Sequence, residues 1–238
     1  MKSVSPLSGL IALTRPVTAV RNSPIFLAVL AVIGSSLFFY VFPGIDQAVS
    51  RLFYDADEGF ALQNSPPLRT LRSSADLLMR GIALVALFQI ARSACARRAS
   101  PRSLWLLSCL VVGPGLLVNG ILKAYWGRPR PRETDIFGGE APYQKVWIIS
   151  DWCASNCSFV SGEASSGFWI FAAALLVPRP SRTIVTTLAA LYAAAVSLNR
   201  VAFGGHYLSD VVLAWLLCAL VFMVLARLIL PSSIERSE

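Results

Sequence analysis

The chain carries little charge. Asp, Glu, Lys and Arg make up 14% of its 238 residues, whereas a soluble domain carries roughly 25%. So few charges cannot cover a water-facing surface, which argues against a soluble globular domain. Disorder is excluded too, because 55% of the residues are hydrophobic. Acidic residues are fewer than basic ones, 13 against 21, and the formal charge is +8. In a soluble protein that excess would suggest nucleic acid. In a chain this apolar it reflects basic loops on the cytoplasmic side of a membrane, and no nucleic-acid partner is expected. Histidine occurs once, at His206. Internal repeats and low-complexity tracts are missing.

Cysteine is sparse as well, with five residues. Cys109 and Cys218 lie in apolar runs and read as small core residues. Cys95 sits in a basic loop and reads as a reduced thiol. Cys153 and Cys157 form a close pair. A zinc site needs four ligands, and the single histidine is required elsewhere, so neither a metal nor another cofactor is expected. If this loop faces an oxidising compartment, the pair can form a disulfide. The spacing alone leaves the bonded and reduced states both open.

What the chain has in quantity is long apolar runs. A helix needs about 20 apolar residues to cross a bilayer. Such runs cover residues 25–42, 76–92, 103–122, 182–198 and 207–230, and a shorter one covers 164–177. They predict an all-α fold, a six-span transmembrane helix bundle over residues 25–230. An N-terminal arm at 1–24 and a tail at 231–238 flank it. A cleaved leader is the weaker alternative for the first run, which is long and starts late. The third run contains Gly113-Pro114-Gly115, tolerated in a span when neighbours satisfy the freed backbone groups. Between the first two spans, the apolar spacing of residues 45–55 predicts a short amphipathic helix. It would lie on the bilayer surface or pack as a loop helix.

Sorting the loops by charge gives an orientation. The arm (Lys2, Arg15, Arg21), the 2/3 loop (Arg92, Arg97, Arg98, Arg102), the 4/5 turn (Arg179, Arg182) and the C-terminus (Arg227, Arg236) share one side. They hold eleven of the 21 basic residues and two acids, Glu235 and Glu238. By the positive-inside rule that side is cytoplasmic, with both termini inside. The long 1/2 and 3/4 loops and the short 5/6 turn face outward, and the basic residues of the 3/4 loop therefore need another reason to be there.

Three outward segments supply chemistry. Lys123, Arg128, Arg130 and Arg132 fall within ten positions at the end of span three. Guanidinium groups at an interface suit bidentate phosphate binding, although basic residues beside Trp126 and Tyr125 also suit an ordinary interfacial belt. Ser161-Gly162-Glu163 leads into span four, where a helix start exposes N–H groups that favour an anion or simply caps the helix. Arg200, Gly204-Gly205, His206 and Asp210 join spans five and six. Asp210 is one helical turn beyond His206, where its carboxylate can hold the imidazole, an arrangement of base and orienter. The glycines let backbone approach a ligand. All three segments fall on one side of the membrane, at span ends, and their shared target is a phosphate at the bilayer surface.

These segments resemble the type 2 phosphatidic acid phosphatase superfamily of integral-membrane lipid phosphatases. The family pattern is Lys-x6-Arg-Pro, then Pro-Ser-Gly-His, then Ser-Arg-x5-His-x3-Asp. Lys123 and Arg130-Pro131 match the first part, and Arg200, His206 and Asp210 match the third. Val160-Ser161-Gly162-Glu163 stands for the second, so its proline and histidine are both replaced, and Asn199 replaces the serine of the third. The resemblance implies that His206 attacks phosphorus and forms a phospho-histidine, oriented by Asp210. It implies that Lys123, Arg130, Arg200, Ser161 and the Gly162 N–H hold the phosphoryl oxygens without a metal. Catalysis of phosphoryl transfer is mostly such positioning and charge stabilisation.

Glu163 replaces the family's proton donor. It can act as a general acid only when protonated. Burial and a phosphate dianion would favour that form, and neighbouring cations would oppose it. Alternatively the leaving group needs no acid, as with a diphosphate, or catalysis is lost. The 3/4 loop is similar to a bacterial subgroup that includes lipid A phosphatases. The expected substrate is a lipid phosphate monoester, lipid A first, with undecaprenyl diphosphate and phosphatidylglycerol phosphate as alternatives. Phosphotransfer to a lipid and a non-enzymatic binding role are the other readings. Tyr54, Phe60, Tyr143, Trp147 and Trp152 would cradle a headgroup or form a belt. The expected location is the bacterial inner membrane, with the site on the periplasmic face.

Overall fold

The computed structural model describes residues 24–231. The expected arm and tail, with Lys2, Arg15, Arg21, Glu235, Arg236 and Glu238, lie outside the described residues. Within them the regular structure is helical: α1 (Pro24–Val41), α2 (Gly44–Arg51), α3 (Pro66–Cys95), α4 (Pro101–Tyr125), α5 (Gly162–Ala174), α6 (Arg182–Ala202) and α7 (Leu208–Ile229). Five of these, α1, α3, α4, α6 and α7, are long and apolar enough to cross a membrane. Helix α5, at the expected fourth span, has 13 residues. That is about 20 Å, short of a hydrocarbon core of about 30 Å.

Helix α1 is apolar all round and buries only Ala28 and Phe39, as a helix facing lipid does. It packs along α7. Helix α2 is the short helix expected after it, in the packed form. Asp46 and Ser50, one turn apart, are fully buried, so a polar face points inward. Helix α3 starts at Pro66 rather than at residue 76 and runs 30 residues, about 45 Å. Pro66 and Pro67 occupy its first turn, where a missing N–H costs nothing. Its polar first turns overhang the apolar part and are tied to α6. Asn199 Nδ2 donates to the Leu68 carbonyl at 2.9 Å, and Ser74 Oγ lies 2.6 Å from Tyr192 Oη.

Helix α4 widens to π-type turns over Val111–Leu122, with Pro114 inside. Proline removes a backbone donor, and Asn119 Nδ2 donates to the Pro114 carbonyl at 2.7 Å. Helix α5 is the central element. Gly162, Ala164, Ser165, Gly167, Trp169, Ile170, Ala172 and Ala174 are buried, which leaves it no lipid-facing stripe. Trp169 Nε1 donates to the Leu106 carbonyl of α4 at 2.7 Å. Gly167 lies against Ala193 of α6, a small-residue contact that lets helices close up.

The loop between α4 and α5 is built around Arg128, which is fully buried. Its guanidinium donates to Asp46 Oδ2 at 2.8 Å, Asp210 Oδ1 at 2.6 Å, Ser209 Oγ at 2.9 Å and the Gln144 carbonyl at 2.9 Å. It also lies 4.3 Å from the Tyr207 ring centroid. One side chain thus joins α2, the loop and the start of α7. Aromatic residues fill the rest. Tyr54 and Phe60 pack on Phe137, Tyr143 on Tyr207, and Trp147 on Trp126 and Phe159. Four of the five aromatics expected to face a headgroup or the interface are therefore spent on packing, and Trp152 alone of them is exposed.

Candidate active site

The three chemistry-bearing segments meet at one end of the bundle. Lys123 closes α4, Arg130 lies in the loop, and Ser161-Gly162-Glu163 opens α5. Arg200 ends α6, His206 sits in the following turn, and Asp210 lies in the first turn of α7. Lys123, Arg130, Ser161, Arg200, His206 and Asp210 are all buried.

His206 is held through one nitrogen. Its Nδ1 lies 2.7 Å from the Ser158 carbonyl. A carbonyl only accepts, so in the neutral ring Nδ1 carries the hydrogen and Nε2 carries the lone pair. Nε2 is buried and has no hydrogen-bond partner. The expected orienter is displaced. Asp210 Oδ2 stands 3.8 Å from Nδ1, beyond hydrogen-bond reach. Asp210 instead accepts from Ser158 Oγ at 2.5 Å, the Tyr207 N–H at 2.9 Å and Arg128. It fixes Ser158, and Ser158 fixes the imidazole.

Glu163 stands where the three segments converge. Its Oε1 is 3.3 Å from Arg200 Nε, and its Oε2 is 3.6 Å from His206 Nε2. Arg72, from the overhang of α3, reaches the same Oε1 with Nη2 at 3.1 Å and Nε at 3.2 Å. Burial would raise its carboxyl pKa. The neighbouring His206 imidazole and the charges of Arg200 and Lys123 outweigh burial and hold it well below the usual carboxylate range. In the free protein Glu163 is an anion, not an acid ready to donate.

The remaining groups surround this point. Ser161 caps α5, its Oγ accepting from the Ala164 N–H at 3.3 Å. A β-carbon on Gly162 would stand 2.8 Å from Asn119 Oδ1 and 3.5 Å from Lys123 Nζ, so the glycine admits both side chains. A cavity of about 300 Å³ opens beside Lys123, lined by Asn119, Ala154, Ser155 and Asn156 among others. Arg130 Nη2 donates to the Asn156 carbonyl at 2.6 Å, and burial followed by the charge of Arg132 lowers its pKa. Cys153 and Cys157 are joined in a disulfide that brackets Asn156. The paired glycines make room for side chains of the protein itself. A β-carbon on Gly205 would fall 2.5 Å from Arg200 Nη2, and one on Gly204 would fall 2.5 Å from the Phe60 ring.

Three participants escaped the sequence reading and a fourth, Arg128, has another role. Expected among the basic residues that suit phosphate, it is buried on Asp46 and Asp210, 82 positions away in either direction. Arg72 lies in a polar stretch without periodicity. Ser158 acts on the imidazole through a backbone carbonyl, which no residue type signals. Asn119 gives no signal in an apolar run. Among the described residues no group of three His, Cys, Asp or Glu is placed to hold a metal ion.

The sequence profile of the PAP2 superfamily matches residues 102–233, the stretch that holds every expected site residue. A lipid A 4'-phosphatase of Rhizobium leguminosarum is 38% identical over 209 residues, 80% of this chain and 89% of that protein. A lipid A 4'-phosphatase of Francisella tularensis subsp. novicida is 46% identical over 105 residues, 44% of this chain and 47% of that protein. The crystal structure of a PAP2-type phosphatidylglycerolphosphate phosphatase from Bacillus subtilis superposes with a TM-score of 0.59 at 17% identity. It covers 86% of this chain and 94% of that one. At that identity the likeness shows the shared helical fold. With a profile that spans more than half of the sequence and a relative matched over most of both chains, the protein belongs to the type 2 phosphatidic acid phosphatase (PAP2) superfamily.

Proposed function

We propose that this chain is a bacterial membrane phosphatase that hydrolyses a phosphate monoester of lipid A through a phospho-histidine on His206. The observation that carries the proposal is the state of His206: Nδ1 is engaged by the Ser158 carbonyl, and Nε2 is buried without a hydrogen-bond partner, 3.6 Å from the Glu163 carboxylate that Arg200 and Arg72 also face. In this reading the Nε2 lone pair attacks phosphorus. The P–N bond forms as the bond to the leaving sugar oxygen breaks, and that oxygen takes a proton from water. A second water then attacks phosphorus and gives up a proton to the medium, the P–N bond breaks with its electron pair returning to Nε2, and phosphate leaves. Lys123, Arg130 and Arg200 meet the charge that develops on the equatorial oxygens, and Ser161 and the Gly162 N–H add hydrogen bonds at the start of α5. Asp210 favours the ring's positive charge from 3.8 Å and steadies it through Ser158.

The relatives named lipid A 4'-phosphatase support lipid A as substrate. A site on the periplasmic face is supported by the loop charges. The six-crossing arrangement counts residues 164–177 as one crossing and places both termini in the cytoplasm. One observation favours a second reading. Glu163 is held as a carboxylate by its cations, which suits a substrate whose leaving group needs no proton, such as undecaprenyl diphosphate.

The test is phosphate release by purified wild type and His206→Ala, in detergent with a chelator present. The panel holds lipid A, undecaprenyl diphosphate, phosphatidylglycerol phosphate and phosphatidic acid, with and without an acceptor lipid. Release from lipid A that the variant loses is the expected result. Release from the diphosphate alone moves the assignment to the second reading. Release that depends on acceptor lipid makes the protein a phosphotransferase, and equal release by the variant removes His206 as nucleophile.

A further inference from the structure

Arg72 comes from α3, an element that supplies none of the three family segments, yet it ends inside the site. Both its Nε and its Nη2 lie on Glu163 Oε1, at 3.2 and 3.1 Å. Its side chain is 50% exposed, against 2% for Arg200. Arg72 therefore stands at the mouth with room to turn, and Arg200 forms the floor.

Arg72 is placed by dedicated bonds. Asn199 Nδ2 holds the Leu68 carbonyl, one turn before Arg72, and Ser74 holds Tyr192 just after it. Of the three positions at which this chain departs from the family pattern, two, Glu163 and Asn199, contact α3. One receives the Arg72 side chain, and the other pins the turn that carries it.

The Glu163 carboxylate occupies an anion position. Two guanidinium groups and an imidazole face its two oxygens. Arg200 Nε is nevertheless buried without a hydrogen-bond partner, so the carboxylate only partly satisfies the donors around it. A phosphate monoester brings three acceptor oxygens and about −1.5 to −2 charges, which fits the donor set better than one carboxylate. From these observations we infer that Arg72 is a further phosphate-binding residue of this site, parked on Glu163 until a phosphoryl group arrives. The inference rests on the lipid phosphatase reading above and adds a fourth cation to it.

The competing account makes Arg72 a counter-ion of Glu163 and nothing more. A double-mutant cycle separates the two. The full chain is purified in detergent as wild type, Arg72→Ala, Arg72→Lys, Glu163→Gln and Arg72→Ala/Glu163→Gln. Affinity for inorganic phosphate is read by calorimetry and by competitive inhibition of phosphate release, and melting temperature is read beside it. Glu163→Gln, which removes the competing anion, is expected to bind phosphate more tightly than wild type. Adding Arg72→Ala to it is expected to weaken phosphate binding roughly ten-fold, the scale of one charge-assisted contact. Arg72→Lys is expected to keep part of the affinity that Arg72→Ala loses, the two single Arg72 variants are expected to melt close to wild type, and the double variant close to Glu163→Gln.

Phosphate affinity that Arg72→Ala leaves unchanged in the Glu163→Gln background overturns the inference, because Arg72 then acts only through Glu163. Wild type that binds no phosphate overturns it as well. The lipid phosphatase reading fails separately. A protein that releases phosphate from no lipid but binds inorganic phosphate through Arg72 loses the proposed reaction and keeps the site.

Discussion

Arg128 and Asp210 form an ion pair of 2.6 Å in which neither side chain reaches solvent. Asp46 completes it from the other side at 2.8 Å. Burial opposes the charge on Arg128, but the two carboxylates outweigh burial and raise its pKa. Breaking a buried pair costs about 3–5 kcal/mol, because it strands a charge rather than because the pair is strong. Arg128→Met strands two. It is expected to lower the melting temperature sharply in detergent. Arg128→Met/Asp46→Asn strands only Asp210, which keeps Ser158 and the Tyr207 N–H, and it is expected to regain part of the loss. Equal melting of the single and double variants would show that Asp46 does not depend on Arg128.

The charge on Glu163 gives a pH signature. Its folded pKa is depressed from a reference of 4.5. A depressed carboxyl stabilises the fold above its unfolded value, and that contribution is lost as pH falls through the folded one. Wild type is therefore expected to melt above Glu163→Gln at neutral pH, with the gap closing only below about pH 4.5. A gap that stays constant down to pH 3.5 would exclude the carboxylate as an ion-pair partner.

The Cys153–Cys157 bond closes a loop with a sequence separation of 4. A loop that small contributes about 2 kcal/mol on the chain-entropy account. Reduction, or Cys153→Ser/Cys157→Ser, frees the Asn156 carbonyl that holds Arg130. The expected outcome is a higher KM with kcat less affected, read by turnover with and without a phosphine reductant. A kcat loss at unchanged KM would place the loop's influence elsewhere.

Gly205 makes room for the Arg200 guanidinium, since a β-carbon there would fall 2.5 Å from Nη2. Gly205→Ala must push that group aside. Misplacement by about 1 Å costs on the order of 100-fold in rate, and that loss in kcat/KM is expected with little change in melting. Gly34→Ala is the control, because its added methyl meets nothing within 4 Å. It should leave both quantities at wild-type values.

Apolar runs located α1, α4, α6 and α7 to within a few residues, because lipid-facing helices must be apolar throughout. The same rule hid the first turns of α3, where Arg69, Thr70 and Arg72 interrupt the apolar run. Nor did it distinguish a lipid-facing helix from α5, whose apolar residues are buried against protein. Lys123, Arg130, Arg200 and His206 were legible because phosphate chemistry restricts which side chains can serve. The Arg128 hub was not, because pairing across 82 positions leaves no local pattern. The displacement of Asp210 from the imidazole was equally hidden, since one-turn spacing permits a contact without requiring it.

Ser158 touches His206 with its main chain and Asp210 with its hydroxyl. The first of these contacts belongs to no side chain, so every amino acid at position 158 brings it. Substitution can test the hydroxyl but cannot delete the carbonyl. Comparison of related sequences could likewise show position 158 varying freely while the tautomer of the histidine stays fixed. What holds the imidazole is inherited as a backbone path, and only a change in that path, such as an inserted or deleted residue between Cys157 and Ser161, would undo it.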